Sequence, residues 1–324
     1  MKASIVITCY NLGAYLEEAF NSALQSTHPD FEVIVVDDGS TDPQTRDLVA
    51  LLEQRHRCDA RVRFIRQANK GLSGARNSGI EQATGECILP LDADNKIRPH
   101  YLGRATQVLS DQPSVGVVYG WAERFGARAG VWEFPPFDKQ KMLLGNGVEA
   151  CSAFRKQVWR EVGGYDEERF REGYEDWDFW LGALEKGWEF VRIPEVLFDY
   201  RVRAHSMVSA CNEPEIRQKL VNQLIDKHQP LYAACWPDLL ISRELTTLAY
   251  ERLVAGYHQR YVEAMVDFQR FAQDWNARCE TLEAEVQQHR SALHSLRHLV
   301  AVQRFFARSP LGRLMARRPR RPAP

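Results

Sequence analysis

What this 324-residue sequence lacks narrows its function before any motif is read. No apolar run approaches the roughly 18 to 20 residues that a membrane span requires. The apolar stretch Ser4 to Cys9 is too short, and too soon followed by Tyr10-Asn11, for a signal-peptide core. The seven cysteines (Cys9, Cys58, Cys87, Cys151, Cys211, Cys235, Cys279) are odd in number and scattered, with no Cys-x-x-Cys pair. A reducing compartment without a structural zinc site is the simplest reading, so a cytoplasmic protein is expected. A net charge of −1 argues against bulk nucleic-acid affinity. The glycine-rich stretch Gly71 to Gly79 has neither the Gly-x-Gly-x-x-Gly spacing nor a Gly-Lys-Ser/Thr ending, which excludes dinucleotide and P-loop readings.

What is present alternates. Ala3 to Thr8, Phe31 to Val36, Val62 to Ile65, Ile88 to Leu91 and Ser114 to Gly120 are short apolar runs of the kind buried parallel strands show. Between the first two, Leu16, Ala19, Phe20, Ala23 and Leu24 repeat at helical spacing, completing a β-α-β unit. Leu48, Leu51 and Leu52 begin the next helix, and the fold class is therefore α/β. The length leaves room for one domain of roughly 200 to 250 residues and an appendage. Proline pairs and aromatics from Trp132 to Phe137 suggest a ligand-binding loop, and Phe190 to Ile193 and Val196 to Tyr200 read as two short strands.

Polar residues gather at the strand ends: Thr8-Cys9-Tyr10-Asn11, Asp37-Asp38, Asn69-Lys70-Gly71 and Asp92-Ala93-Asp94. Open α/β sheets bind ligands at such ends. An aromatic face to stack a base, acids to accept from base or ribose, and hard carboxylate oxygens for Mg²⁺ or Mn²⁺ suit a nucleotide with a metal. Each feature also has a plainer reading as a turn or a helix cap. Arg76 either points one charge at the pocket or sits on the surface. Glu175-Asp176 opens a helix on which Trp177, Trp180, Leu181 and Leu184 share a face, and acids in a first turn suit the helix dipole without any catalytic role. His205 follows the last strand and is either solvated or within reach of a metal or phosphate.

The ordered motifs SIVITCYN (Ser4 to Asn11), VIVVDDGSTD (Val33 to Asp42), NKGLSGARNSG (Asn69 to Gly79), GECILPLDADN (Gly85 to Asn95), Gly164-Tyr165-Asp166, Glu175-Asp176 and Tyr200-Arg201 with His205-Ser206 resemble the family-2 glycosyltransferases, over roughly residues 3 to 207. The resemblance implies a GT-A fold, a mixed and mostly parallel sheet flanked by helices. It also implies an inverting, metal-dependent transfer from a nucleotide-diphospho-sugar, a UDP-type donor first, to a hydroxyl of a glycan, lipid-linked glycan or protein, as in surface polysaccharide assembly. Carried over by position, Thr8, Tyr10 and Asp38 hold the nucleotide base, while Lys70, Gly71 and Arg76 lie over ribose and diphosphate. Asp92 and Asp94 form the Asp-x-Asp motif, with Asp94 on Mn²⁺ or Mg²⁺ and Asp92 on ribose or the ion's water shell. Asp176 is the catalytic base, Glu175 and Trp177 lie on the acceptor side, and His205 assists metal or diphosphate in some members. The rival readings are a nucleotidyltransferase, whose Gly-rich, basic N-terminal signature is missing, and a catalytically inactive GT-A scaffold acting through its C-terminal helix.

The domain plan is a GT-A unit over 1–212, a helical connector over 213–250 with a break at Cys235-Trp236-Pro237, a long helix over 251–305, and a basic, disordered tail over 306–324. No glycine or proline falls between Tyr257 and Ser309, and from Met265 to Val300 apolar positions alternate three and four apart. A homo-oligomeric coiled coil, or one helix folded back on its own domain, is expected. Beyond Glu285 no acid occurs, and residues 304–324 hold seven arginines. That composition suits peripheral attachment to an anionic inner-leaflet surface better than nucleic-acid binding.

Overall fold

The computed structural model describes residues 1–203, 210–211 and 213–308. His205 and the segment from 309 onward, most of the tail expected to be basic and disordered, lie outside the described residues.

Four strands form the heart of the sheet: β1 (Ala3–Cys9), β2 (Phe31–Asp37), β3 (Val62–Arg66) and β4 (Cys87–Asp92). They pair in parallel in the order β3-β2-β1-β4. Every residue of β1 and β2 is buried, which is why both read as unbroken apolar runs rather than alternating ones. The crossovers are α1 (Gly13–Leu24), α2 (Pro43–His56) and α3 (Gly71–Gln82). Asp42 caps α2 by accepting from the Thr45 N–H at 2.8 Å, and Pro43 follows at the position where a missing N–H costs nothing. Gly79 lets α3 lie against the sheet, since a Cβ there would stand 2.4 Å from Val6 Cγ1.

Because the chain runs from β1 out to β3 on one side and returns on the other side of β1 as β4, the loops after β1 and β4 diverge. That switch of direction opens a crevice at the carboxyl ends of the strands. Past β4 the sheet turns mixed. It continues with β8 (Ala153–Arg155, antiparallel), β6 (Val115–Gly126) and β9 (Glu189–Val202), the last two parallel to each other, and ends on the short β5 (Lys96–Ile97). β7 (Gly130–Trp132) pairs with β6 alone. Helices α4 (Tyr101–Asp111), α5 (Lys139–Leu144), α6 (Lys156–Val162) and α7 (Glu175–Glu185) complete the layers. Phe154, Phe179 and Trp180 pack ring to ring beneath α7.

The structure corrects two readings. The two short strands expected around Pro194 are one strand, β9, whose register against β6 slips between Gly120↔Ile193 and Trp121↔Val196. Pro194 sits in that irregularity, where its missing N–H breaks no ladder bond. The break expected at Cys235-Trp236-Pro237 is also absent. After α8 (Pro214–Lys227), α9 runs from Gln229 to Arg308 with Pro237 inside it. Leu231, Cys235 and Leu239, one turn apart, are all buried and hold that face of the helix in place on both sides of the proline.

The chain divides into two compact units, Met1–Glu244 and Leu245–Pro324. The first contains the whole sheet, α8 and the start of α9. Tyr232 donates to the Leu143 carbonyl at 3.0 Å, and Lys227 and His228 meet the buried Asp178. Among the described residues no helix is long and apolar enough to cross a membrane.

Candidate active site

A cleft of about 610 Å³ opens at the carboxyl ends of β1, β2 and β4 and is closed on its far side by α7 and the segment between α5 and β8. Thr8, Tyr10, Asp38, Gly71, Arg76, Asp92, Asp94, Glu175 and Asp176 all line it, so residues scattered over most of the first unit's sequence meet there.

The β2 end is locked before any ligand arrives. Asp38 is buried, and its carboxylate accepts from Gln67 Nε2 at 2.7 Å, the Lys70 N–H at 2.8 Å and the Gly71 N–H at 2.9 Å. Gly71 has φ +80°, a left-handed conformation that glycine adopts without strain, and it turns the chain into α3. Lys70 is exposed and serves the site through its backbone; its side chain is not part of the cleft wall. At the β1 end, Asn11 (φ 53°) accepts from the Thr41 and Asp42 N–H groups, which ties the first loop to the second. Tyr10 is left 45 % exposed at the rim, a free aromatic face, and the buried Thr8 hydroxyl has no partner.

Arg76 is no surface cation. Its side chain is 1 % exposed, with one guanidinium nitrogen 2.7 Å from Glu175 Oε1 and the other 3.0 Å from Asp92 Oδ1. Burial works against its charge, but the carboxylates of Asp92 and Glu175 outweigh that penalty and hold it firmly protonated. Arg76 therefore bridges α3, the end of β4 and the start of α7. Glu175, expected on the acceptor side, lines the cleft and is engaged there largely as the counter-ion of Arg76. Trp177, expected beside it, is buried, and its indole N–H donates to the Met142 carbonyl at 2.7 Å. It fixes α7 from behind, because in a helix the next residue but one turns to the opposite face.

Asp94 faces Arg203, whose Nε lies 2.7 Å from Asp94 Oδ2, while Arg201 Nε donates to the Asp94 carbonyl at 3.0 Å. Burial and the nearby Asp92 charge push the Asp94 carboxyl above its ordinary range, against the pull of Arg203. Two carboxylates crowded at one cleft wall are a poor arrangement alone and a fitting one for a divalent cation. Among the described residues no three His, Cys, Asp or Glu side chains converge. Asp94 and Asp92 would offer a divalent ion one or two carboxylates, as Mg²⁺-type sites do when substrate phosphates and water complete the shell.

Opposite stands Asp176, half-buried at the start of α7. Asn146 Nδ2 donates to its Oδ2 at 2.9 Å, and the Trp177 N–H donates to Oδ1 at 2.7 Å. Burial, then the neighbouring Glu175 charge, push its pKa up to about 7. Tyr174, just before, holds φ +67° in a non-glycine residue, a costly conformation at the cleft wall. Glu149 also lines the cleft. Burial and the Asp92 charge raise it to about 8, and its carboxylate is held by the Cys151 N–H. Arg203, Asn146, Glu149 and Tyr174 escaped sequence reasoning. Arg203 stood beside a motif that was read, whereas Asn146 and Glu149 lie in a segment with no periodicity to mark them.

A sheet of this order, with acids at its switch point, has the layout of the nucleotide-binding α/β folds. Residues 4–163 match the model for glycosyl transferase family 2. An uncharacterized glycosyltransferase of Nostoc sp. is 43% identical over 37% of this chain, and the match covers 36% of that relative's own length. Chondroitin synthase of Escherichia coli is 28% identical over 57% of the chain, but only 26% of that much longer protein. Among solved structures, S. aureus TarS in complex with UDP-GlcNAc shares the fold, with a TM-score of 0.55 and 21% identity over 72% of this chain and 73% of the other. Together these likenesses support a family-2 glycosyltransferase domain of GT-A fold within the first unit.

Proposed function

We propose that this chain transfers a sugar from a nucleoside-diphosphate donor, a UDP sugar first, to a hydroxyl of a glycan, lipid-linked glycan or protein, with inversion at the anomeric carbon. The observation that carries this reading is the meeting of Asp176, poised near neutrality, with Asp92 and Asp94 around one cleft. The acceptor oxygen bonds to the anomeric carbon as the bond to the diphosphate oxygen breaks. Asp176 takes the acceptor's proton, and the nucleoside diphosphate leaves with the electron pair. Asp94, with Asp92, would hold Mn²⁺ or Mg²⁺, which neutralises charge on the departing diphosphate. Tyr10 offers its exposed ring to the base, and the Thr8 hydroxyl is free to reach the same ligand. Glu149 lines the same cleft and would contact the transferred sugar there. Polysaccharide assembly is the setting supported by the likeness to chondroitin synthase. The Arg-rich C-terminal segment would hold the enzyme on an anionic membrane surface, and flotation of the intact protein with anionic vesicles at physiological salt tests that attachment.

The deciding experiment for the reaction is a thermal-shift screen of nucleoside diphosphates and their sugars with Mn²⁺. A ligand at a hundredfold over its Kd stabilises by about 2.7 kcal/mol. One nucleotide series should stand out, and Asp94→Ala should lose the Mn²⁺-dependent part of its shift. If no nucleotide sugar stabilises the protein and none is hydrolysed or transferred, the inactive-scaffold reading takes its place.

A further inference from the structure

The second unit presents a surface that the transferase reading does not use. Along α9, Tyr250, Leu253, Tyr257, Tyr261, Phe268, Phe271, Trp275, Leu282, Val286 and Leu293 are each at least half exposed. At 100° per residue these positions fall on one stripe of the helix, about 65 Å long from first to last at 1.5 Å per residue. Exposed apolar surface of that extent marks an interaction site.

The spacing names the kind of partner. From Met265 to Leu293 the stripe follows a heptad in which Met265, Ala272, Cys279, Val286 and Leu293 occupy the a positions, and Phe268, Trp275, Leu282 and His289 the d positions. A seam with that repeat fits another helix of the same repeat. The flanking charges are complementary in one arrangement that the cysteine layer can test. Arg278 and Glu285 stand at g, and Glu283 and Arg290 at e. In a parallel, in-register pair, each g residue meets the e residue five positions further along the partner helix. Arg278 then faces Glu283, and Glu285 faces Arg290, each contact occurring twice by symmetry, with no like-charged pair among them. The other g positions within this span, Phe271 and Ala292, are uncharged and form no like-charged pair.

We infer that a second copy of this chain covers the stripe, in a parallel and in-register coiled coil centred on residues 265–293. The register has a chemical signature, because a parallel pair stacks Cys279 of one copy against Cys279 of the other in a single a layer, whereas an antiparallel pair sets them against d-position residues. The pairing is independent of the transferase reading, since a dimer with no sugar transfer, or transfer by a monomer, are separate outcomes.

The test uses the full chain. Sedimentation velocity should give a species of twice the chain mass, and W275E/L282E should give a monomer whose first unit still melts cooperatively. Mild oxidation should produce a dimer that reducing agent reverses and that Cys279→Ser abolishes, while Cys58→Ser leaves it. Arg278→Glu alone should weaken dimerisation at least tenfold, and adding Glu283→Arg should restore it. A monomeric wild-type chain overturns the proposal. A dimer that neither cross-links through Cys279 nor recovers in the charge-reversed double variant overturns its orientation and register.

Discussion

The two walls of the cleft are built on opposite electrostatic plans. On the β1–β4 side the charges of Asp38 and Arg76 are already engaged within the protein. Asp38 accepts three N–H bonds, and Arg76 is clamped between Asp92 and Glu175. On the far side Asp176 and Glu149 are held by few bonds, and burial raises both carboxyls toward neutrality. The first wall is suited to hold a ligand whose charges are known in advance. The second is suited to exchange a proton, since a base works best when its pKa lies near the operating pH.

The sharpest way to break the contrast is Asp176→Asn. It should lower kcat by about 10²- to 10⁴-fold, the range typical of a lost general base, while donor affinity measured by titration stays within a few fold. Wild-type turnover would remove Asp176 from the role. Next in size, Arg76→Met should leave the buried Glu175 without its cation and cost about 3–5 kcal/mol of stability, as breaking a buried pair does. A lowered Tm partly recovered by adding Glu175→Gln would identify the stranded carboxylate as the cause.

The far wall should also show itself in pH. Both carboxyls have folded pKa values raised above their ordinary 3.8 and 4.5, to about 7 for Asp176 and about 8 for Glu149. A group with a raised folded pKa contributes stability that is full below its unfolded value and lost as pH climbs through the folded one. Thermal stability should therefore fall between about pH 4 and 8, while kcat/KM rises with an inflection near 7 as Asp176 ionises. Asp176→Asn should remove part of that slope in the melting curve, and an unchanged slope would show that the base does not titrate there. The smallest effect belongs to Glu149. Glu149→Ala should raise the donor-sugar KM roughly fivefold, about 1 kcal/mol of recognition, whereas Glu149→Gln, which keeps a neutral hydrogen-bonding group, should stay near wild type.

Much of the first wall was legible in the chain because its residues sit at strand ends, and a buried strand announces itself by composition and stops at its polar residue. Thr8, Tyr10, Asp38, Gly71, Asp92 and Asp94 were all found that way. The opposite wall was legible at Glu175-Asp176 and in the loop carrying Trp132 and Phe134, but not between them. Asn146 and Glu149 lie where neither a helical nor a strand period marks the chain, and Arg203 pairs with Asp94 across more than a hundred residues. The same limit explains the misread break at Pro237, since a local breaker does not reveal the buried Leu231, Cys235 and Leu239 that hold the helix through it.

The sequence by itself determined the α/β class, the strand ends that carry acids and the long helical stretch with its heptad, because each is a periodicity or spacing written along the chain; the family entered through the resemblance of its ordered motifs. Only the tertiary structure decided that Arg76 and Glu175 neutralise one another out of reach of water, that the Trp177 indole is buried against the Met142 carbonyl, and that burial and the Glu175 charge raise the Asp176 carboxyl. Those outcomes depend on burial and on charges brought together from distant segments, quantities that do not exist until the chain has folded.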